Sequence, residues 1–203
     1  GAFSYCAAEP AIATTQPVRK IADLKGLKLR VLATPVERAL VAEVGAAGVP
    51  MDFAEVLAAL QNRVIDGARS SIVVMGPLKF YTVAKYINMI GDNYIPSGMW
   101  LSKAWFGKLP ADLQKAVLET GRDATPVGLE AAKRIAANWE QEWGKDGGEV
   151  IRFTAAERKE YMGRVRPLGE KLLGGNDNPK VREMYELLRT TADFDNFKKR
   201  AAR

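Results

Sequence analysis

Hydrophobic and polar positions follow their most regular pattern in the segment Leu24–Ser71. Over residues 27–31, leucine and valine alternate with lysine and arginine, and this period of two predicts a short strand. Thr34 and Pro35 follow, and they have the residue types preferred at an N-cap and at the first helical position. We therefore expect a strand that leads directly into an amphipathic helix.

The same segment then alternates between helices and strands. Gly45 and Gly48 are predicted to end the first helix. A short strand is expected around Pro50–Phe53 and a helix over Ala54–Asn62, after which the Asp66-Gly67 pair predicts a turn. The resulting order of strand, helix, strand, helix and strand is typical of an α/β fold, in which ligand-facing residues lie at the strand ends.

The rest of the chain contains shorter signals of the same kinds. They predict a strand around Phe3–Ala7, a helical turn at Ile21–Leu24, a turn over Tyr94–Ser97, and strands at Tyr86–Met89, Gly98–Ser102 and Val150–Phe153. A long helix is expected from Ala111 to about Gly144, and Pro126 must bend it or split it. Thr154 and Glu157 have the spacing of a capping box, and a last helix is expected over Lys180–Thr191.

Arg30 is the candidate binding residue of the first strand. Its neighbours Leu29 and Val31 are apolar, so the alternation places Arg30 on the opposite face, near the carboxyl end of the strand. A guanidinium group there can hold a carboxylate through two parallel hydrogen bonds. The alternative interpretation is an exposed strand arginine in a solvent-screened ion pair.

Composition excludes several kinds of chemistry. The chain has 203 residues, of which 47% are hydrophobic and 27% charged, and it contains no histidine and one cysteine. Histidine-dependent triads, histidine-ligated metals and an internal disulfide are therefore excluded, and we predict no metal and no cofactor. Carboxylate pairs such as Asp112 with Glu119 lie in charge-rich helical segments, so we predict no enzyme activity.

The net charge of +6 does not indicate a nucleic-acid partner. Lysine and arginine are spread along predicted helices beside glutamate, and they cluster only in the tail that begins at Lys198. We interpret this tail as a solvated helix end, where basic side chains complement the helix dipole. No apolar run is long enough to cross a bilayer.

Three ordered segments resemble the DctP-type substrate-binding proteins of TRAP transporters, the tripartite ATP-independent periplasmic carriers. The segments read DLKGLKLRV, VPMDFAEVLAALQNRVIDG and KFYTVAKYINMIGDNYIPSGMWLSKAWFGKLPADLQKAV. The resemblance runs from about Pro17 to about Asp146. It implies an α/β periplasmic-binding-protein-like lobe with a long bent helix, and a chain that opens near the start of the family's second lobe, with the first lobe largely absent.

The resemblance also implies a division of the chain into three parts. Residues 1–90 correspond to the ligand-binding α/β unit of the second lobe. Residues 91–125 correspond to strands and a helix start that belong to the first lobe in the family. Residues 126–203 correspond to the long helix and the C-terminal helices, which pack back on the second lobe.

Five ligand-binding residues are expected from the resemblance. Arg30 matches the arginine that pairs with the ligand's carboxylate in the family, and Phe53 matches an aromatic residue that lies against the ligand. Ser70 takes the place of a polar group that touches the ligand. Arg69 replaces an acidic residue and faces the ligand in one interpretation, or solvent or a nearby glutamate in the other. Trp100 lines the cleft or is a buried core residue.

The implied function is capture of a small organic carboxylate in the periplasm and its delivery to the membrane permease subunits of a TRAP transporter. The alternative is a binding-incompetent fragment or interaction protein. In that case the hydrophobic face of an incomplete cleft would assemble with another chain, or with a second copy of this one.

Overall fold

The computed structural model describes residues 3–91, 95–145 and 147–191. Its strands are β1 (Phe3–Ala8), β2 (Pro10–Thr14), β3 (Lys28–Val31), β4 (Ala47–Pro50), β5 (Gly67–Ser71), β6 (Tyr86–Met89), β7 (Ile95–Met99) and β8 (Glu149–Arg152). Its α-helices are α1 (Pro35–Glu43), α2 (Val56–Gln61), α3 (Ile72–Met75), α4 (Lys103–Phe106), α5 (Ala111–Lys145), α6 (Ala155–Gly169) and α7 (Pro179–Thr191). Short 3-10 turns lie at Ile21–Leu24, Phe53–Glu55 and Phe80–Thr82.

A six-stranded mixed sheet forms the centre of the fold. Its strand order is β4-β3-β5-β2-β6-β8. Strands β4 and β5 both run parallel to β3, whereas β2 runs antiparallel to both of its neighbours. A separate two-stranded antiparallel sheet pairs β1 with β7. The predicted α/β class is confirmed, and the predicted division into lobes stays a prediction.

Two hydrophobic cores cover the two faces of the large sheet. On one face, α1 and α6 contribute side chains such as Val41 and Tyr161 to a cluster with Ile12 and Leu29. On the other face, α2, α3 and α5 pack their apolar side chains against Ala13 and its neighbours. Because successive residues of a strand point to opposite faces, β2 contributes Ile12 to the first core and Ala11 and Ala13 to the second. The fold therefore has three layers, with the sheet in the middle.

The predicted start of α1 is confirmed, but its predicted end is correct only in part. Thr34 is the N-cap, and its side-chain oxygen accepts a hydrogen bond from the Glu37 backbone N–H at 3.2 Å. Gly45, at a φ of 79°, follows the helix end. Gly48 instead lies inside β4, which begins at Ala47, three residues before its predicted start. A side chain there would lie 2.9 Å from Val41, so close packing rather than a helix stop requires glycine.

Strand β2, in the interior of the sheet, was missed by the sequence analysis. Its five residues are all buried, yet alanine at two of them and proline at the first give a weak strand signal. The prediction of a turn at Asp66-Gly67 was also wrong for Gly67, which is the first residue of β5. A β-carbon at Gly67 would lie 2.7 Å from the Ala13 carbonyl oxygen, so the glycine permits β5 to approach β2.

The long helix α5 is continuous over 35 residues and passes through Pro126. The predicted split is therefore wrong, and the predicted bend stays a prediction. The carboxyl-terminal half of α5 is fixed to the sheet's core by Trp143, which is fully buried and donates from Nε1 to the Lys85 carbonyl oxygen at 3.1 Å. Glycines after Lys145 follow the helix end, as predicted.

Other expectations differ mainly in their boundaries. Strands β1, β6 and β8 and the capping box of α6 are confirmed. Strand β7 begins three residues before the predicted strand, which places Pro96 in a strand rather than in a turn. Tyr94 and the basic tail from Lys198 lie outside the described residues.

Neither a membrane span nor a metal cluster is found in the ranges that the structure describes. No helix there is both long and apolar enough to cross a bilayer. No group of three or more histidine, cysteine, aspartate or glutamate side chains there is arranged to hold a metal ion.

We expect Gly76→Ala to destabilise the protein by about 1–3 kcal/mol through overpacking. Gly76 follows α3, and a β-carbon there would lie 2.4 Å from Cδ2 of Trp139 on α5. Its backbone φ of −60° suits alanine, so only the lack of space opposes the change. The matched control is Gly144→Ala in α5, where nothing lies within 4 Å and helix propensity favours alanine. Urea unfolding that gave Gly76→Ala the same free energy of unfolding as the parent would contradict this packing.

Candidate functional site

The candidate site lies at the carboxyl ends of three parallel strands. Because β4, β3 and β5 run in the same direction, their carboxyl ends meet at one edge of the sheet. Arg30 lies near the end of β3, Ser70 near the end of β5, and residues 51–53 directly follow β4. The chain then turns away from this edge, into α1 after β3 and into a 3-10 turn after β4.

The Arg30 side chain is buried, with 5% of its surface exposed. Its Nε donates to the Met51 carbonyl oxygen at 3.2 Å, and its Nη1 makes a long contact of 3.5 Å with the Arg69 carbonyl oxygen. Nη2 donates to no atom in the described part of the chain. The fork of the guanidinium therefore keeps donors that the described residues do not use. The alternative interpretation of an exposed strand arginine is not what the structure shows.

The Phe53 ring covers the Arg30 guanidinium. The Arg30 Cζ lies 5.0 Å from the ring centroid, within the range of a cation–π contact. Phe53 in turn stacks on Phe80, with the two centroids 5.5 Å apart and the planes 19° from parallel. Phe80 is 1% exposed and belongs to the core beneath the sheet. The two rings connect the guanidinium to that core and set its position.

Burial lowers the pKa of the Arg30 guanidinium below its usual value, because removal from water disfavours the charged form. The nearby carboxylates of Glu37 and Asp52 act in the opposite direction and favour the charge. Neither carboxylate lies within 4.0 Å of the guanidinium, and Arg30 forms no ion pair with any residue in the described ranges. The charge at this edge is therefore compensated only in part.

Arg69 lies on the opposite face of the sheet from Arg30. Ala68 is the register partner of Arg30 and shares its face, so the alternation of β5 turns Arg69 the other way. Arg69 is 4% exposed, and its Nε donates to the two carboxylate oxygens of Glu37 at 3.1 and 3.4 Å. Of the two predicted arrangements, the structure contains the one with a nearby glutamate. A ligand-binding role for Arg69 stays a prediction.

Ser70 and Trp100 occupy different surroundings. Ser70 shares the Arg30 face of the sheet, because it lies two residues beyond Ala68 in β5, and it is half-buried. Trp100 directly follows β7 and is 83% exposed, so its interpretation as a buried core residue is wrong. Its predicted place in a cleft stays a prediction.

Glu37 was missed by the sequence analysis as a residue of this site. It occupies the third position of α1, in the first turn after β3, and its carboxylate pairs with one arginine and influences the other. The signal was present in the sequence, because Glu37 stands three residues after the N-cap Thr34, the spacing of a capping box. That spacing places its carboxylate in the first turn of a helix that starts beside the site.

The contact between Arg30 and Phe53 predicts a measurable coupling. We expect a double-mutant cycle of Arg30→Met and Phe53→Leu, followed by urea unfolding, to give a coupling of roughly 0.5–2 kcal/mol, as for a partly buried cation–π pair. Each substitution keeps an apolar side chain, so the cycle isolates the contact between charge and ring. Additive effects of the two substitutions would contradict the proposed contact.

Comparison with known proteins connects this site to a family. Residues 8–174 match the family described as bacterial extracellular solute-binding protein, family 7, or DctP. The 2,3-diketo-L-gulonate-binding periplasmic protein YiaO of Escherichia coli is 36% identical over 108 residues, which are 53% of this chain and 33% of that protein. The chain spans between a third and about half of the length of the first curated relatives it matches.

Two solved structures of TRAP periplasmic solute-binding proteins share the fold. One, from Shewanella oneidensis with bound succinate, has a TM-score of 0.76 and 26% identity, and the match covers 90% of this chain and 60% of that one. The other, from Sulfitobacter sp. NAS-14.1 with bound α-D-taluronate, has a TM-score of 0.77 and 28% identity, and the match covers 91% and 59%. The resemblance predicted from the sequence is confirmed. The chain belongs to the bacterial extracellular solute-binding proteins of family 7, the DctP family.

Proposed function

We propose that this protein captures a small organic anion through one carboxylate, which pairs with Arg30, for delivery to the membrane permease of a TRAP transporter. The observation that supports it is the buried guanidinium of Arg30, which has unused donors and forms no ion pair within the described ranges. A buried charge is unfavourable unless it is paired. A ligand's carboxylate would supply the missing partner.

The surroundings of Arg30 suit a carboxylate. The planar fork of a guanidinium can form two parallel hydrogen bonds with the two oxygens of a carboxylate. The Phe53 ring adds apolar surface on one side of the guanidinium, and Ser70 adds a hydroxyl group on the same face of the sheet. In this proposal Arg30 holds the charge of the ligand, whereas Phe53, Ser70 and Trp100 select its shape and polarity.

The ligands named for related proteins support an organic acid. One relative is named for 2,3-diketo-L-gulonate, and two solved structures contain succinate and α-D-taluronate. Each of these molecules carries at least one carboxylate. We extend that chemical class to this chain, together with a periplasmic location and a binding rather than a catalytic role, in keeping with a family of extracellular solute-binding proteins.

A second candidate function is assembly with another copy of the chain. The observation that favours it is a group of exposed apolar side chains on β7 and α4 and between them, namely Met99, Trp100 and Trp105, which are 46%, 83% and 51% exposed. Exposed aromatic groups of this size are typical of contact surfaces.

The primary proposal predicts that Arg30→Met lowers the affinity for an organic acid at least about a hundredfold, because a desolvated charge pair is lost. Arg30→Lys is expected to bind with intermediate affinity, since an ammonium keeps the charge without the fork. Calorimetric titration of the full chain with 2,3-diketo-L-gulonate, α-D-taluronate and succinate measures this. The matched control is Arg38→Met, at an exposed arginine of α1, which should bind as the parent does. Equal affinities of Arg30→Met and the parent would remove Arg30 from the site.

The second candidate predicts a dimer in solution. Light scattering coupled to size-exclusion chromatography should give twice the mass of the chain at micromolar concentration, and Trp100→Ser should restore the monomer mass because the largest exposed apolar surface is lost. A monomer mass for the parent chain would overturn this candidate and leave carboxylate capture unaffected.

A further inference from the structure

Two buried arginines lie close to one carboxylate at the edge of the sheet that contains the candidate site. Arg30 and Arg69 are 5% and 4% exposed, and the Nη1 of the first contacts the backbone carbonyl of the second. Glu37 pairs with Arg69 at 3.1 Å and also favours the charged form of Arg30. Asp52, exposed beside Phe53, acts on Arg30 in the same direction. The four charges of this cluster therefore cancel.

The position of Glu37 is fixed from two sides. Its backbone N–H donates to the N-cap Thr34, which places it in the first turn of α1, where a carboxylate is stabilised by the helix dipole. Both oxygens of its carboxylate accept a hydrogen bond from the Nε of Arg69 on β5. The Glu37 side chain is 20% exposed, so its charge is only partly screened by water.

This arrangement has a consequence for the charge of a ligand. One ligand carboxylate can pair with Arg30, and the cluster with its ligand then carries a single net negative charge. A second carboxylate would find the other arginine on the opposite face of the sheet and already paired with Glu37. It would also be repelled by the negative charges of Glu37 and Asp52, which act on Arg30, and repulsion between like charges is strong in a partly desolvated site. Specificity of this kind depends on a repulsive element as well as on an attractive one.

We propose that Glu37 determines the ligand's charge class: by pairing with Arg69 it leaves Arg30 as the one available cation, and the site selects monocarboxylates over dicarboxylates. This proposal rests on the proposed function, since it assumes that Arg30 binds a carboxylate. It assigns Arg69 a role through Glu37 rather than through contact with the ligand. The preference should follow the net charge of the four-residue cluster.

The test uses probe pairs that differ only in a second carboxylate, namely D-gluconate with D-glucarate and butyrate with succinate. Calorimetric titration of the full chain at constant ionic strength gives the affinity ratio for each pair. We expect the monocarboxylate of at least one pair to bind tenfold or more tightly than its dicarboxylate. If at least one probe binds but neither pair reaches that ratio, the charge selection is overturned and carboxylate capture is left intact. Absence of binding by all four probes would overturn the charge selection, and the titrations with 2,3-diketo-L-gulonate and α-D-taluronate would then decide carboxylate capture.

Three variants test the role of Glu37 itself. In Glu37→Gln the cluster gains a positive charge, so the ratio should shift towards the dicarboxylate by tenfold or more. In Arg69→Met it gains a negative charge, so the ratio should shift further towards the monocarboxylate. The double variant restores neutrality and should return the ratio to the parent's value. Equal weakening of both probes in every variant would show a merely structural role and would overturn the proposal.

Folding of each variant is checked by circular dichroism and urea unfolding, because Glu37→Gln leaves the charge of Arg69 buried. If that variant does not fold, the parent, Arg69→Met and the double variant still decide the outcome. The matched control is Glu43→Gln, an exposed glutamate at the end of the same helix. Its affinity ratio should equal the parent's, and a shift as large as that of Glu37→Gln would overturn the assignment to Glu37.

Discussion

The burial of one positive charge is the constraint on which this site depends. Arg30 loses most of its contact with water at the edge where three parallel strands end, and its charged form needs substitutes for that water. Part of this compensation comes from the protein. The guanidinium has one hydrogen bond to a backbone carbonyl, a longer contact to a second carbonyl, the face of the Phe53 ring and two more distant carboxylates. In the proposed function, a carboxylate of the ligand supplies the part that is missing.

Two arginines lie near the carboxyl ends of neighbouring strands, Arg30 in β3 and Arg69 in β5, and the alternation of side chains along each strand turns them to opposite faces. Arg30 and Arg69 are both buried, yet they lie on opposite faces of one sheet, and only Arg69 has a carboxylate within ion-pair distance in the described ranges. A buried ion pair with good geometry compensates its own charges, whereas a buried charge without a partner is unfavourable. The same residue type is thus paired within the fold at one position and is the proposed ligand-binding group at the other.

The scaffold holds this edge through close backbone packing and a few large side chains. Glycines at positions 48 and 67 let neighbouring elements approach more closely than any other residue would allow, and Trp143 fixes α5 to the core beneath the sheet. The fold is shared with TRAP periplasmic binding proteins at 26–28% identity, which is consistent with a constraint on packing and charge rather than on most individual residues.

The sequence by itself determined the α/β class, the first turn of α1, the long helix α5 and the family, because these depend on local periodicity, capping and residue order. It also singled out Arg30 and Phe53, which the structure brings into contact, and their role in binding stays a prediction. Tertiary structure decided the interior strand β2, the packing roles of Gly48 and Gly67, the exposure of Trp100 and the pairing of Arg69 with Glu37. Each of these depends on contacts between residues distant in the chain, such as the 32 positions that separate Glu37 from Arg69. A local sequence pattern does not specify which distant residues a side chain will contact in the folded protein.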